Sequence, residues 1–67
     1  MTPARTSALN ATSLKNASIL VIDDEEGMRH FITKVLEPHC KRVMQAATAK
    51  EAGELMDTHH FDLLMVD

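Results

Sequence analysis

The sequence has no tryptophan or tyrosine, one cysteine, two prolines and two glycines in 67 residues. With Cys40 alone, a disulfide within the chain is impossible, and a reducing, cytoplasmic setting is expected. Basic runs are short: none exceeds Lys41-Arg42, and 7 Lys+Arg stand against 10 Asp+Glu for a formal charge of -3. That balance argues against a phosphate-tracking nucleic-acid surface. No apolar run approaches the ~18 residues that a membrane span needs, so no membrane partner is expected. The first residues, MTPARTSALNATSLKN, contain no continuous apolar segment of the secretory type.

A chain of this length holds one small domain, which buries only about 60% of its unfolded surface. Residues 1–17 are rich in Ser, Thr, Ala and Asn, include Pro3 and show no sustained period, and are read as a flexible tail. Arg5 and Lys15 are the charged side chains of that tail, so the remaining residues 18–67 are more acidic than the whole.

Ser18 to Ile22 is continuously apolar after its first residue, and is too short for a helix. Such a run suits a strand buried on both faces of a parallel sheet. In EEGMRHFITKVLEPH the apolar residues Met28, Phe31, Ile32, Val35 and Leu36 follow the i, i+3, i+4, i+7, i+8 pattern of one helix face. Glu25 and Glu26 sit at its start, where the helix dipole favours negative charge, and Pro38 is expected to stop it. Lys41 to Ala47 reads as a second strand centred on Val43. Thr48-Ala49-Lys50-Glu51 resembles a capping box, which would open a second helix with Ala52, Leu55, Met56 and His59 on one face. Gly53 weakens that helix by about 1 kcal/mol relative to alanine. Phe61 to Val66 is the third apolar run, broken by Asp62. The order strand, helix, strand, helix, strand predicts an α/β fold with a parallel sheet and right-handed crossovers.

Two of these strands run into carboxylates. ILVIDDEE places Asp23, Asp24, Glu25 and Glu26 directly after the first, and LLMVD places Asp67 after the third. Ligands of open parallel sheets bind beyond the carboxyl ends of the strands, where strand order reverses. With the first strand central, in strand order 2-1-3, Asp23, Asp24 and Asp67 would converge there. Three anions together repel unless a cation meets them. An all-oxygen set without His or Cys suits a hard cation such as Mg²⁺. A carboxylate beside that ion can also accept a phosphoryl group as an aspartyl phosphate.

The combination ILVIDDEEGMRHF, followed 43 residues after Asp24 by the aspartate of FDLLMVD, resembles a response-regulator receiver domain of two-component signalling. The resemblance runs from about Ser18 to Asp67. It implies a flavodoxin-like receiver topology, here a βαβαβ portion with strand order 2-1-3. By the resemblance, Asp67 matches the phosphoacceptor, Asp24 the direct Mg²⁺ ligand, and Asp23 the acid that helps to hold the metal, often through water. It further implies a sensor histidine kinase as partner and DNA reached only through an output domain outside this sequence. The phrasing VIDDEEGMR is most like receivers fused to sigma-54-type transcription activators. The family's Ser/Thr after strand four and Lys after strand five have no counterpart here, so two donors to developing phosphoryl charge are lacking. The chain is expected to be a phosphoacceptor or a piece of one, not an enzyme.

Each of these residues also has a structural reading. Asp23 and Asp24 could serve as helix N-caps. Asp67 alone could be a loop aspartate, its role resting on the pairing with strand one. His59 and His60 are adjacent, share no helix face and suit a helix end rather than a metal. His30 lies with Arg29, Thr33 and Lys34 on the polar side of the first helix. His39 and Cys40 lack an orienting third group for catalysis. Met28, Met44, Met56 and Met65 suit core filling. A competing function is a binding or dimerising piece, because the third strand would be an exposed apolar edge open to strand addition or a homodimer. A phosphatase with an aspartate nucleophile fits poorly, since it needs D-x-D rather than adjacent Asp23-Asp24.

Overall fold

The structure, a computed structural model, describes residues 14–66. The expected alternation is present: β1 (Ser18–Ile22), α1 (Glu26–Leu36), β2 (Arg42–Ala46), α2 (Ala49–Thr58) and β3 (Leu63–Val66). The three strands form a parallel sheet in the order β2-β1-β3. Ser18 pairs with Arg42 and Ile22 with Ala46 on one side of β1, while Ile19 pairs with Leu63 and Ile22 with Val66 on the other. Two crossovers of the same hand that leave β1 and β2 in opposite directions across the sheet must lie on opposite faces. The core divides accordingly, following the two-residue period of β1. Ala17, Ile19 and Val21 pack with Ile32 and Leu36 of α1, together with Leu14, Cys40 and Val43. Leu20 packs with Ala46 and Ala52, together with Ile22, Met44, Leu55 and Phe61 on the α2 side. A strand that feeds both faces has no polar side, which is why β1 reads as an unbroken apolar run.

Leu14–Asn16 form one turn of 3-10 helix, and the buried Ala17 donates its backbone N–H to the Leu14 carbonyl. The packed body thus includes Leu14 to Ala17, at the end of the segment read as a tail; residues 1–13 of that segment lie outside the described residues. Two helix ends fall where expected but differ in detail. The α-helix α1 ends at Leu36, before Pro38, and the chain continues as a 3-10 turn, Glu37–His39, that contains the proline. Proline in the first turn of a helix sacrifices no needed donor, so here it begins a turn rather than ending one. At α2, Thr48 Oγ1 accepts from the Glu51 N–H at 3.1 Å, as a capping box requires. Glu51 Oε1, however, accepts from the N–H of Ala47, one residue earlier than the box prescribes.

The face of α1 needs a larger correction. Ile32 and Leu36 pack on the sheet, but Met28, Phe31 and Val35 are exposed, Phe31 at 62%. Thr33, expected on the polar side, is 3% exposed, and its hydroxyl donates to the Arg29 carbonyl. The apolar arc of the helix is wider than its contact with the sheet, and the contact is centred to one side of it. Among the described residues, no helix is long and apolar enough to cross a membrane.

Candidate functional site

The carboxyl end of β1 is the switch point, flanked by β2 on one side and β3 on the other. Asp23 follows β1 directly and is 4% exposed. Its backbone N–H continues the ladder by donating to the Ala46 carbonyl at 3.2 Å. Its Oδ1 accepts the N–H of Glu25 at 2.9 Å, an Asx turn that bends the chain out of the strand. Glu25, not Asp23 or Asp24, is the N-cap of α1, with its side chain accepting from the Met28 N–H. The capping reading of the two aspartates is therefore not needed to start this helix.

The second Asp23 oxygen, Oδ2, is buried and has no hydrogen-bond partner among the described residues. A buried carboxylate oxygen left unpaired is costly, and native structures resolve it with a donor or a cation. Asp23 lines an open groove of about 470 Å³ with Met28 and Ile32 of α1 and Leu64, Met65 and Val66 of β3. Among the described residues, the lining side chains are apolar but for this carboxylate. An oxygen-only carboxylate donor here fits a hard cation. Asp24 follows as an exposed residue. Asp67 comes next in sequence after Val66, the register partner of Ile22, and lies outside the described residues. Among the described residues, no group of three or more His, Cys, Asp or Glu is assembled that could hold a metal ion.

Two side chains make contacts not anticipated from sequence, Arg29 at the site and Asp62 at the opposite end of β1. Arg29 Nη1 donates to the Asp23 carbonyl at 2.9 Å, and its Nε donates to Gln45 Oε1 of β2 at 3.2 Å. Its position one turn into α1 was the available signal, but the partners are a backbone oxygen and a strand residue that no spacing rule connects. Asp62 latches the start of β3 to β1: its N–H donates to the Ser18 carbonyl at 2.7 Å, and its Oδ2 accepts the Ser18 N–H at 2.8 Å. That backbone hydrogen bond, and then the His60 ring at 3.2 Å from Oδ1, hold the Asp62 carboxyl below the usual carboxylate range. The polar interruption of an otherwise apolar run was the clue to this latch.

The histidines stand apart from the groove. His59 is the C-cap of α2, its ring Nδ1 near the Thr58 hydroxyl and the Leu55 carbonyl, while His30 and His39 are exposed. Burial raises the Cys40 thiol pKa, which disfavours the reactive thiolate.

No family model matches the chain, and no solved structure matches it. A curated protein does: transcriptional regulatory protein YvrH of Bacillus subtilis (strain 168) is 38% identical over 55 residues. The match covers 81% of this chain and 23% of that protein, so the chain spans about a quarter of the relative's length. Over most of its residues, then, the chain is similar to one segment of a transcriptional regulatory protein.

Proposed function

We propose that the chain is the N-terminal part of a response-regulator receiver, which takes a phosphoryl group from a sensor histidine kinase on Asp67. The observation that carries this reading is the buried, unpartnered Oδ2 of Asp23 at the switch point of a 2-1-3 parallel sheet. Similarity to a transcriptional regulatory protein supports it. Asp23 and Asp24 would hold Mg²⁺ together with Asp67. When bound, the ion neutralises charge on the phosphoryl oxygens. In the transfer, an Asp67 carboxylate oxygen forms the new P–O bond as the kinase's P–N bond breaks, and the imidazole leaves with the electron pair of that bond. Output to DNA would pass through a further domain. The chain acts as an acceptor and not as a turnover catalyst.

The test is an amide NMR titration with Mg²⁺, with intact mass measured after incubation with acetyl phosphate. Shifts centred on Asp23 to Glu25 are expected, and Asp23→Asn should weaken the response roughly tenfold or more, since even changes to groups that only support a metal ligand commonly cost about 10–100-fold in affinity. One added phosphoryl group is expected on a protein carrying this chain and none on its Asp67→Asn variant. Labelling that persists in Asp67→Asn would sink the acceptor assignment.

The exposed apolar β3 favours a second reading, a binding or dimerising piece without phosphoryl chemistry. Concentration-dependent association with no Mg²⁺ response would select it.

A further inference from the structure

We propose that Arg29 is a positioning residue for the Asp23 carboxylate, an assignment that rests on the acidic-site reading above. The guanidinium joins three elements. It donates through Nη1 to the main-chain oxygen of Asp23 and through Nε to Gln45 Oε1 of β2, while the Arg29 backbone N–H closes the first turn of α1 on the Glu25 carbonyl at 3.0 Å. The loop between β1 and α1 is thus held by both the side chain and the backbone of one residue. Asp23 needs such an anchor. Its Oδ1 is committed to the Glu25 N–H, which leaves Oδ2 as the free donor atom. Rotation of the Asp23 peptide would break the Asx turn and turn Oδ2 away from its present position.

The guanidinium suits this role because its planar fork holds two acceptors at fixed angles and stays charged at all working pH values. The same charge lies against a loop where Asp23, Asp24, Glu25 and Glu26 accumulate four carboxylates. It offsets part of their repulsion without occupying a carboxylate oxygen, because it bonds the carbonyl instead. Groups that orient a metal ligand without touching the metal commonly alter affinity 10–100-fold.

Two readouts separate positioning from simple stabilisation. The first is the exchange protection of the Glu25 amide in metal-free protein, relative to the Leu20 amide of β1. The second is the midpoint of the Mg²⁺ titration. Arg29→Ala should lose Glu25 protection roughly tenfold more than Leu20 protection and raise the Mg²⁺ midpoint roughly tenfold. Arg29→Lys keeps the charge but loses the fork, so it should show most of the same change. If Arg29→Ala does not fold, Arg29→Lys and Gln45→Ala decide. Equal loss at Glu25 and Leu20, or an unchanged Glu25 amide in a folded variant, overturns the assignment. Absence of any Mg²⁺ response in the unaltered chain would defeat the metal reading alone, because the Glu25 amide still tests Arg29 directly.

Discussion

The sheet has two edge strands that differ in kind. Among the described residues, both β2 and β3 pair with β1 alone. In β2, RVMQA, the charged Arg42 and polar Gln45 are exposed while Ala46 is buried. In β3, LLMV, every residue is apolar and every residue is exposed, Val66 at 68%. Edge strands are commonly guarded by charge or polarity against further pairing, and β2 is so guarded. By composition β3 matches the central β1, whose Leu20 is 0% exposed, far better than it matches its fellow edge. A strand apolar on both faces is suited to the interior of a parallel sheet. Met28, Phe31 and Val35 of α1 are exposed as well, and Met28 shares a groove with β3. The unguarded surface is therefore continuous between helix and strand, whereas the β2 side is finished. This difference shows that apolar composition reports the neighbours a strand is built for, and exposure reports the neighbours it has.

The sharpest way to break the comparison is a pair of matched truncations. Leu20→Ala should cost about 2–5 kcal/mol, enough to unfold a chain of this size, while Leu64→Ala should cost under ~1 kcal/mol. Urea denaturation of both variants checks this, and equal losses would mean that β3 is as enclosed as β1. Next in size, Gly53→Ala should stabilise by about 0.5–1 kcal/mol, since a Cβ there meets nothing within 4 Å. It offers a firmer background in which the two edges can be compared, and an unchanged melting temperature would count against it. Phe31→Ala should change stability by less than ~1 kcal/mol in this chain; a loss of about 3–5 kcal/mol would show that the side chain is covered. The smallest effect concerns the latch of β3. Because the folded Asp62 carboxyl sits below its ordinary range, its contribution is complete above about pH 4 and is lost as pH falls through the folded value. Asp62→Asn should flatten the acid limb of stability against pH, and β3 amides should lose protection before those of β2.

Much of this architecture was legible because it depends on local pattern. The bounds of β1 and the Thr48 cap follow from an apolar run and a four-residue motif, whereas the 2-1-3 order was an expectation carried by the receiver resemblance and not by local pattern. What was not legible depends on azimuth and on long-range partners. The spacing of Met28, Phe31, Ile32, Val35 and Leu36 defines an apolar arc, but not which part of it meets the sheet, so Phe31 and Thr33 were exchanged in burial. At the site, Asp23 was identifiable from its place after β1, but the exposed position of Asp24 and the grip of Arg29 on the loop arise from a turn geometry that residue types alone do not specify.

The central placement of β1 also sets the order in which the sheet can be made. Ser18 pairs with Arg42 and Ile19 with Leu63, so no pairing of this sheet joins strands adjacent through a tight turn. The loop entropy of each crossover is spent before its strand pairing returns any stability. The chain should therefore fold slowly for its size, through helices that form before the sheet does. During synthesis, β1 would emerge first and wait, apolar from Ile19 to Ile22, until β2 and then β3 arrived to enclose its two edges.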